Sequence, residues 1–334
     1  MKYINKLVMV LMVVAVSSCD ITELDLLDNP NAVAPENASV NDLLVSIQGS
    51  FDGMLQGMEG FAGGVTRMTA LTPFSVYDYT NATQPQNYDG IWNTVYAGLF
   101  PDVDALVAIA DERNLPIHSG IAKVMKAYAM VSLVDFFGNV PYSQAGQGTD
   151  VISPPSDDGA SVYAAAEALL DQAISQMSGS TAAKPSTDTY FNGNPDAWVK
   201  AANTLKLRMA VTTRLVDGGA AGKINSLIAG GNLIDDASED WHTNYGQTRT
   251  NPNSRHPRYN EHYETTDGGY LGNYFMWLLV GDKRDADDNP VTDPRLRFYF
   301  YRQVKDAEVL DKNEYSCHFT DLPDQNLKPA HWSA

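Results

Sequence analysis

Two polar stretches of this chain combine aromatic rings with planar hydrogen-bonding side chains. One runs from Tyr77-Asp78-Tyr79 to Tyr88, with Arg67 upstream. The other, Trp241 to Tyr263, carries His242, Asn244, Tyr245, Arg249, Asn251 and Arg255. The combination suits a sugar, whose pyranose ring offers a flat apolar side to an aromatic face and hydroxyls to planar polar groups. Loops held on a rigid scaffold are where binding residues concentrate. Trp241, Tyr245, Tyr79 and Tyr88 are therefore the expected platforms, with Arg67, Asp78, Asn244 and Arg249 as their polar partners. The competing expectation is that these rings pack against the loops' own scaffold, because a large ring gains most from burial.

Sharper chemistries find little support. Gly218 to Ile224 (GGAAGKI) lacks the four-residue gap of a phosphate loop and the Ser or Thr after Lys223 that would hold magnesium. A helix end and a turn are expected there. His256 to Glu264 (HPRYNEHYE) groups two histidines with two acids but contains no H-E-x-x-H, so a zinc protease is not indicated. Asp285-x-Asp287-x-Asn289 imitates the start of a calcium loop. Pro290 stands where the sharp turn needs Gly and Leu296 where the bidentate Glu belongs, which leaves a charged turn with at most adventitious calcium. Paired carboxylates for glycoside hydrolysis depend on separation in space, which spacing in sequence does not set. No catalytic residue, cofactor or metal site is expected.

The elements that must position the two loops are helical. Apolar residues recur at three- and four-residue spacing over Val40–Met58, until Gly57, Gly60, Gly63 and Gly64 break the pattern. They recur again over Gly90–Arg113, where Pro101 predicts a kink or break, and over Ile117–Phe137. Ser156, followed by two aspartates, opens a helix to Met177. Asn194-Pro195-Asp196 is a strong start signal for another reaching Val216. Ile224–Ile228 is a short candidate, and periodicity returns at Tyr270–Val280. Trp92 and Trp198 fall within helical stripes and are expected in the core. No alternating stretch supports a sizeable sheet. The fold class is mostly α, helices joined in pairs in the manner of tetratricopeptide-like repeats, with long irregular loops.

At the N-terminus, Lys2 and Lys6 precede ten apolar residues, Leu7 to Val16, and then Ser17-Ser18-Cys19. That run is about half of the ~20 residues a membrane-spanning helix needs, so it predicts a signal peptide over 1–18. The small residues before Cys19 resemble a bacterial lipobox, which makes Cys19 the expected lipidation site and an outer-membrane lipid the expected anchor. Residues 19–38 are acidic and aperiodic, an expected tether, and 39–334 form the expected globular part. Removing 1–18 takes away two lysines and no acids, so the net charge moves from −18 to about −20. Such a chain repels phosphate backbones, which argues against nucleic acid. Cys317 is the one other cysteine, so no intramolecular disulfide framework is expected once Cys19 is lipidated.

Asp135 to Ala145 (DFFGNVPYSQA) resembles the D-hydrophobic-aromatic-G-[DN]-[VI]-P-Y-s-e-A segment of the SusD/RagB family of nutrient-binding outer-membrane lipoproteins. Trp92 to Leu106 is similar to that family's Trp-x3-Tyr helix. Val162 to Met177 resembles its Y-x2-a-x2-l-L-d-x-A-i helix, and Trp198 to Leu215 its W-x-k-x-A-N-s-L-k-l-R segment. Asp293 to Phe298 (DPRLRF) resembles its D-P-R-l turn. The five segments are collinear. The resemblance implies a helical fold with tetratricopeptide-like units on the cell surface, acting as a lid on a SusC-like TonB-dependent transporter. It also implies capture of oligosaccharides, or of peptides in some branches, without cleavage. Family members continue well past the D-P-R-l turn, so the resemblance further implies a domain incomplete at its C-terminus. Three other readings stand beside oligosaccharide capture: a peptide-binding relative, a lipid-anchored polysaccharide hydrolase, and a structural scaffold.

Overall fold

The structure, a computed structural model, describes residues 39–69, 84–250, 253–260, 273–295, 301–302 and 332–333. Six helices carry the fold. They are α1 (Val40–Val65), α2 (the consecutive segments Asp89–Asn93, Thr94–Leu99 and Phe100–Glu112), α3 (Pro116–Phe137), α4 (Gly159–Met177), α5 (Pro195–Thr213) and α6 (Ala220–Gly230). A short α7 follows at Asn273–Trp277. Two-residue strands, β1 (Tyr301–Arg302) and β2 (Trp332–Ser333), pair antiparallel with Tyr301 opposite Ser333. The fold is mostly α, as expected. Among the described residues no helix is long and apolar enough to cross a membrane.

α3 is the centre. It touches α1, α2, α4 and α5, and Ile117, Ile121, Val124, Met125, Ala127, Met130 and Leu133 are buried around its whole circumference. A helix apolar on every side is one surrounded by others. Gly120 lets α4 approach it, since a Cβ there would lie 2.6 Å from Cγ of Met177. Gly120→Val is expected to cost about 1–3 kcal/mol through overpacking. Urea unfolding with an unchanged slope would measure this, and a neutral substitution would contradict the close contact.

His118, in the first turn of α3, has a buried Nδ1 with no hydrogen-bond partner among the described residues. Burial pushes its pKa below 6.5. The unfolded state therefore binds the extra proton first as pH falls. Stability is expected to be undiminished above about pH 6.5 and to fall below it, until His118 also protonates in the folded state. His118→Gln should flatten thermal stability over the first unit or so below that value. An unchanged slope would place the proton elsewhere.

Four boundaries differ from the sequence expectation. α6 begins at Ala220, inside the Gly218–Ile224 stretch expected as a helix end and a turn, and runs to Gly230, beyond the short Ile224–Ile228 candidate. α1 runs on through Gly57, Gly60 and Gly63 to Val65, because its glycines serve packing: a Cβ on Gly57 would meet Cγ1 of Ile91 at 3.0 Å. α4 is capped by Asp158 and not Ser156, the Asp158 carboxylate accepting from the Ser161 amide at 3.0 Å. α5 stops at Thr213, short of Val216. Leu215 and Val216 are 86% and 87% exposed, so these apolar residues mark no buried turn. Pro101 neither breaks nor ends α2. Thr94–Leu99 widens to a π-turn, with the Phe100 amide bonded to the Val95 carbonyl, and Pro101 falls in the first turn of the α-segment that resumes.

Candidate functional site

The segment from Asp135 to Ala145 leaves α3 at Gly138 (φ +79°) and is held by one carboxylate. Asp157 accepts from the amides of Tyr142 (2.8 Å) and Ser143 (2.9 Å) and from the Ser143 hydroxyl (2.6 Å). The Ser143 hydroxyl, then the two amides, hold its pKa below the ordinary carboxylate range. The loop so fixed presents the Pro141 carbonyl to the Tyr96 hydroxyl at 2.7 Å. Burial and the nearby Asp157 charge push the Tyr96 pKa well up, so it stays a neutral donor. Tyr96 in turn stacks on Trp92 at 5.0 Å, and Trp92 also meets Phe137 at 5.1 Å.

Trp92 and Phe137 help wall a cavity of about 620 Å³ between the end of α1, the start of α2 and the end of α3. Phe61, Tyr88, Trp92, Phe136 and Phe137 supply the aromatic lining, and Thr66 and Asp135 the polar one. Tyr88 packs on Phe61 at 4.4 Å and edge-on to Phe137 at 5.5 Å. A concave site with aromatic walls and few polar groups is the usual form of a small-molecule pocket.

A second cavity, of about 350 Å³, lies where residues 241–245 cross α1. Its lining includes Asp52, Tyr128, Arg208, Trp241 and His242. The crossing segment sets three successive side chains, Trp241, His242 and Thr243, along the cavity. Trp241 stacks on Phe51 at 5.2 Å, Thr243 donates to Asp52 at 2.9 Å, and the Tyr245 hydroxyl accepts from Gln56 at 3.2 Å. His242 lines this cavity beside them. The His242 Nε2 lies 3.0 Å from the Asn244 Oδ1, and the Asn244 amide group donates to the Thr189 carbonyl at 3.4 Å. Trp241 completes a nest with Tyr128, Tyr190 and Trp198, all edge-on to it within 6 Å. Tyr190 donates to Asp52 at 2.6 Å; its pKa is pushed well up, by burial first and by that bond second.

The expected binding residues thus divide between two places. Tyr88 lines the larger cavity. Trp241 lines the smaller one, with Asn244 and Tyr245 on the same segment. Arg67 sits just past α1 at φ +61°, and Arg249 is exposed beyond Tyr245. Asp78 and Tyr79 lie outside the described residues, as do Cys19 and Glu261 to Glu264. Phe61, Phe136, Asp52 and Arg208 are lining residues that the loop-centred reading passed over, since each belongs to a helix. Of the two tryptophans expected in the core, Trp198 is fully buried, while Trp92 is half-buried at a cavity wall.

The other chemistries resolve into structure. Lys223 pairs with Glu167 at 3.0 Å and with Asp217 at 3.5 Å on the first turn of α6. Asp285 accepts from the amides of Asp287 and Asn289 at 2.9 and 2.8 Å, closing a hydrogen-bonded turn. Among the described residues no three His, Cys, Asp or Glu side chains gather as a metal site would require.

Residues 57–331 match the SusD-like family described as starch-binding and associating with the outer membrane. This chain belongs to the SusD-like family. Among solved structures it resembles a SusD/RagB family protein of Bacteroides thetaiotaomicron, at 21% identity and a TM-score of 0.58. That match covers 74% of this chain and 52% of the other. A candidate outer-membrane nutrient-binding protein of Bacteroides vulgatus matches at 21% identity and a TM-score of 0.62, over 84% of this chain and 57% of that one. A chitin-binding protein matches at 23% identity and a TM-score of 0.51, over 61% and 45%. At these identities the likeness is one of fold, and this SusD-like chain spans about half the length of the structures it resembles. No curated protein matches it.

Proposed function

We propose that this SusD-like protein captures oligosaccharides at the outer membrane for import and does not cleave them. The observation that carries the reading is the larger cavity, with five aromatic rings and Asp135 at its lining. Rings of this kind supply the flat apolar faces that sugar rings stack on, and a carboxylate beside them accepts hydroxyl donors. The family's description as starch-binding and the chitin-binding name of one structural relative both support a glucose-type or N-acetylglucosamine-type polymer. A lipid anchor on Cys19, handover to a SusC-like TonB-dependent transporter and operation without a cofactor complete the proposal.

The test titrates the chain beginning after Cys19 with maltooligosaccharides and chitooligosaccharides, following tryptophan fluorescence and analysing the sugar afterwards. Trp92 stands in the cavity wall and serves as reporter. Saturable binding of intact sugar is expected. Tyr88→Ala is expected to weaken it about tenfold, or ~1.4 kcal/mol, the scale of one ring's packing. Cleaved sugar would overturn the non-catalytic part of the reading, and binding indifferent to Tyr88→Ala would move the site elsewhere.

A further inference from the structure

The two cavities open along the same pair of helices. On α1, Leu55 lines the smaller and Ala62 the larger; on α3, Tyr128 lines the smaller and Asp135 the larger. Seven residues are two helical turns, so both members of each pair lie on one face, roughly 10 Å apart along the axis at 1.5 Å per residue. The cavities are successive stations along the α1–α3 cleft. Arg208, reaching over from α5, joins them. Its guanidinium lies 5.0 Å from the centre of the Tyr128 ring, in the smaller cavity, and its NH2 group is 3.4 Å from Oδ2 of Asp135, in the larger. The Tyr163 hydroxyl donates to Oδ1 of Asp135, which fixes the carboxylate from behind.

Resting on the oligosaccharide reading above, we infer that the two cavities form one groove for a single extended oligosaccharide of several units, with Arg208 as the specificity-determining contact between them. Aromatic rings stand at both ends, Tyr88 and Phe136 at one and Trp241 at the other, and between them a fixed donor–acceptor pair faces the ligand's middle. Guanidinium N–H groups in a rigid fork beside a carboxylate suit neighbouring hydroxyls on one sugar ring. A chain occupying both stations binds the second one at high effective concentration, so affinity rises with chain length.

The experiment compares short and long members of the series that binds, maltotriose against maltoheptaose or chitobiose against chitohexaose, by calorimetry. The long sugar is expected to bind at least roughly tenfold tighter, with one sugar per protein molecule. Arg208→Ala is expected to collapse the long-to-short ratio toward one, and His242→Ala, an exposed residue at the smaller cavity, to reduce it. Thermal unfolding of each variant checks that the fold is kept. Equal affinity for short and long sugars would overturn the groove and leave the capture reading standing. Two sugars bound per molecule would likewise overturn it, by making the cavities separate sites. Failure of every sugar to bind would overturn the capture reading, and the groove with it.

Discussion

Asp188→Ala is expected to destabilise the chain by about 3–5 kcal/mol, because it strands buried donors that answer to one carboxylate. Asp188 is 5% exposed. Its Oδ1 accepts from the Tyr190 amide at 3.1 Å, and its Oδ2 from the Gly193 amide at 2.7 Å and the Trp198 indole N–H at 2.8 Å. The loop it organises cannot easily readjust. Gly193 sits at φ +69° with the Pro185 carbonyl 2.8 Å from where a Cβ would be, and Thr189 is pinned to the buried Gln48 amide at 2.7 Å. Asp188→Asn keeps the shape but turns an NH2 group toward one of these donors, so an intermediate loss is expected. Denaturant unfolding extrapolated to water measures both. A loss below about 1 kcal/mol for the alanine variant would mean that water replaces the carboxylate, and the loop would then be less closed than described.

Trp198→Ala is expected to cost a similar ~3–5 kcal/mol, here through lost packing. The side chain is fully buried, with Phe191 edge-on at 5.1 Å, Tyr190 at 6.0 Å and Trp241 at 4.9 Å. Its effect reaches the smaller cavity, because Trp241 loses the ring it leans on. Near-ultraviolet circular dichroism should weaken beyond what the loss of one chromophore explains. The two substitutions share a hydrogen bond, so the double variant should cost less than the sum of the singles. Strict additivity would show that the indole N–H to Asp188 contact contributes nothing to stability.

Much of the helical scaffold is legible in the sequence, since apolar spacing and capping signals are local. Asn194-Pro195-Asp196 opens α5 as its chemistry dictates, with the Asn194 side chain accepting from the Asp196 amide at 3.1 Å. The boundary errors share one cause, which is that a residue's local preference yields to what lies across from it. Gly57 looks like a breaker until Ile91 is seen to need its space. The site is less legible. Phe61, Asp52 and Arg208 sit on helices and are 156 residues apart at the extremes, and only the packing of α1, α3 and α5 brings Asp52 and Arg208 to one cavity. Trp241 was visible as an aromatic in a polar loop. Its stacking on Phe51 was not, because no local pattern around Trp241 says which helix the segment crosses.

The wide turn at Thr94–Leu99 has a consequence for how this part of the fold can change. A π-turn is an α-helix carrying one surplus residue. Deleting one of those six positions would restore a regular helix and leave its flanks in place, because the wide turn absorbs its extra residue within a single turn and keeps the segments on either side in the phase of an uninterrupted α-helix. Trp92 would stay at the cavity wall, and Leu106 and Ala110 in the core. A deletion in the regular part of the helix has no such buffer: it would turn one flank about 100° around the axis and draw it back ~1.5 Å. The wide turn is a place where this helix can lose a residue without moving its binding surface.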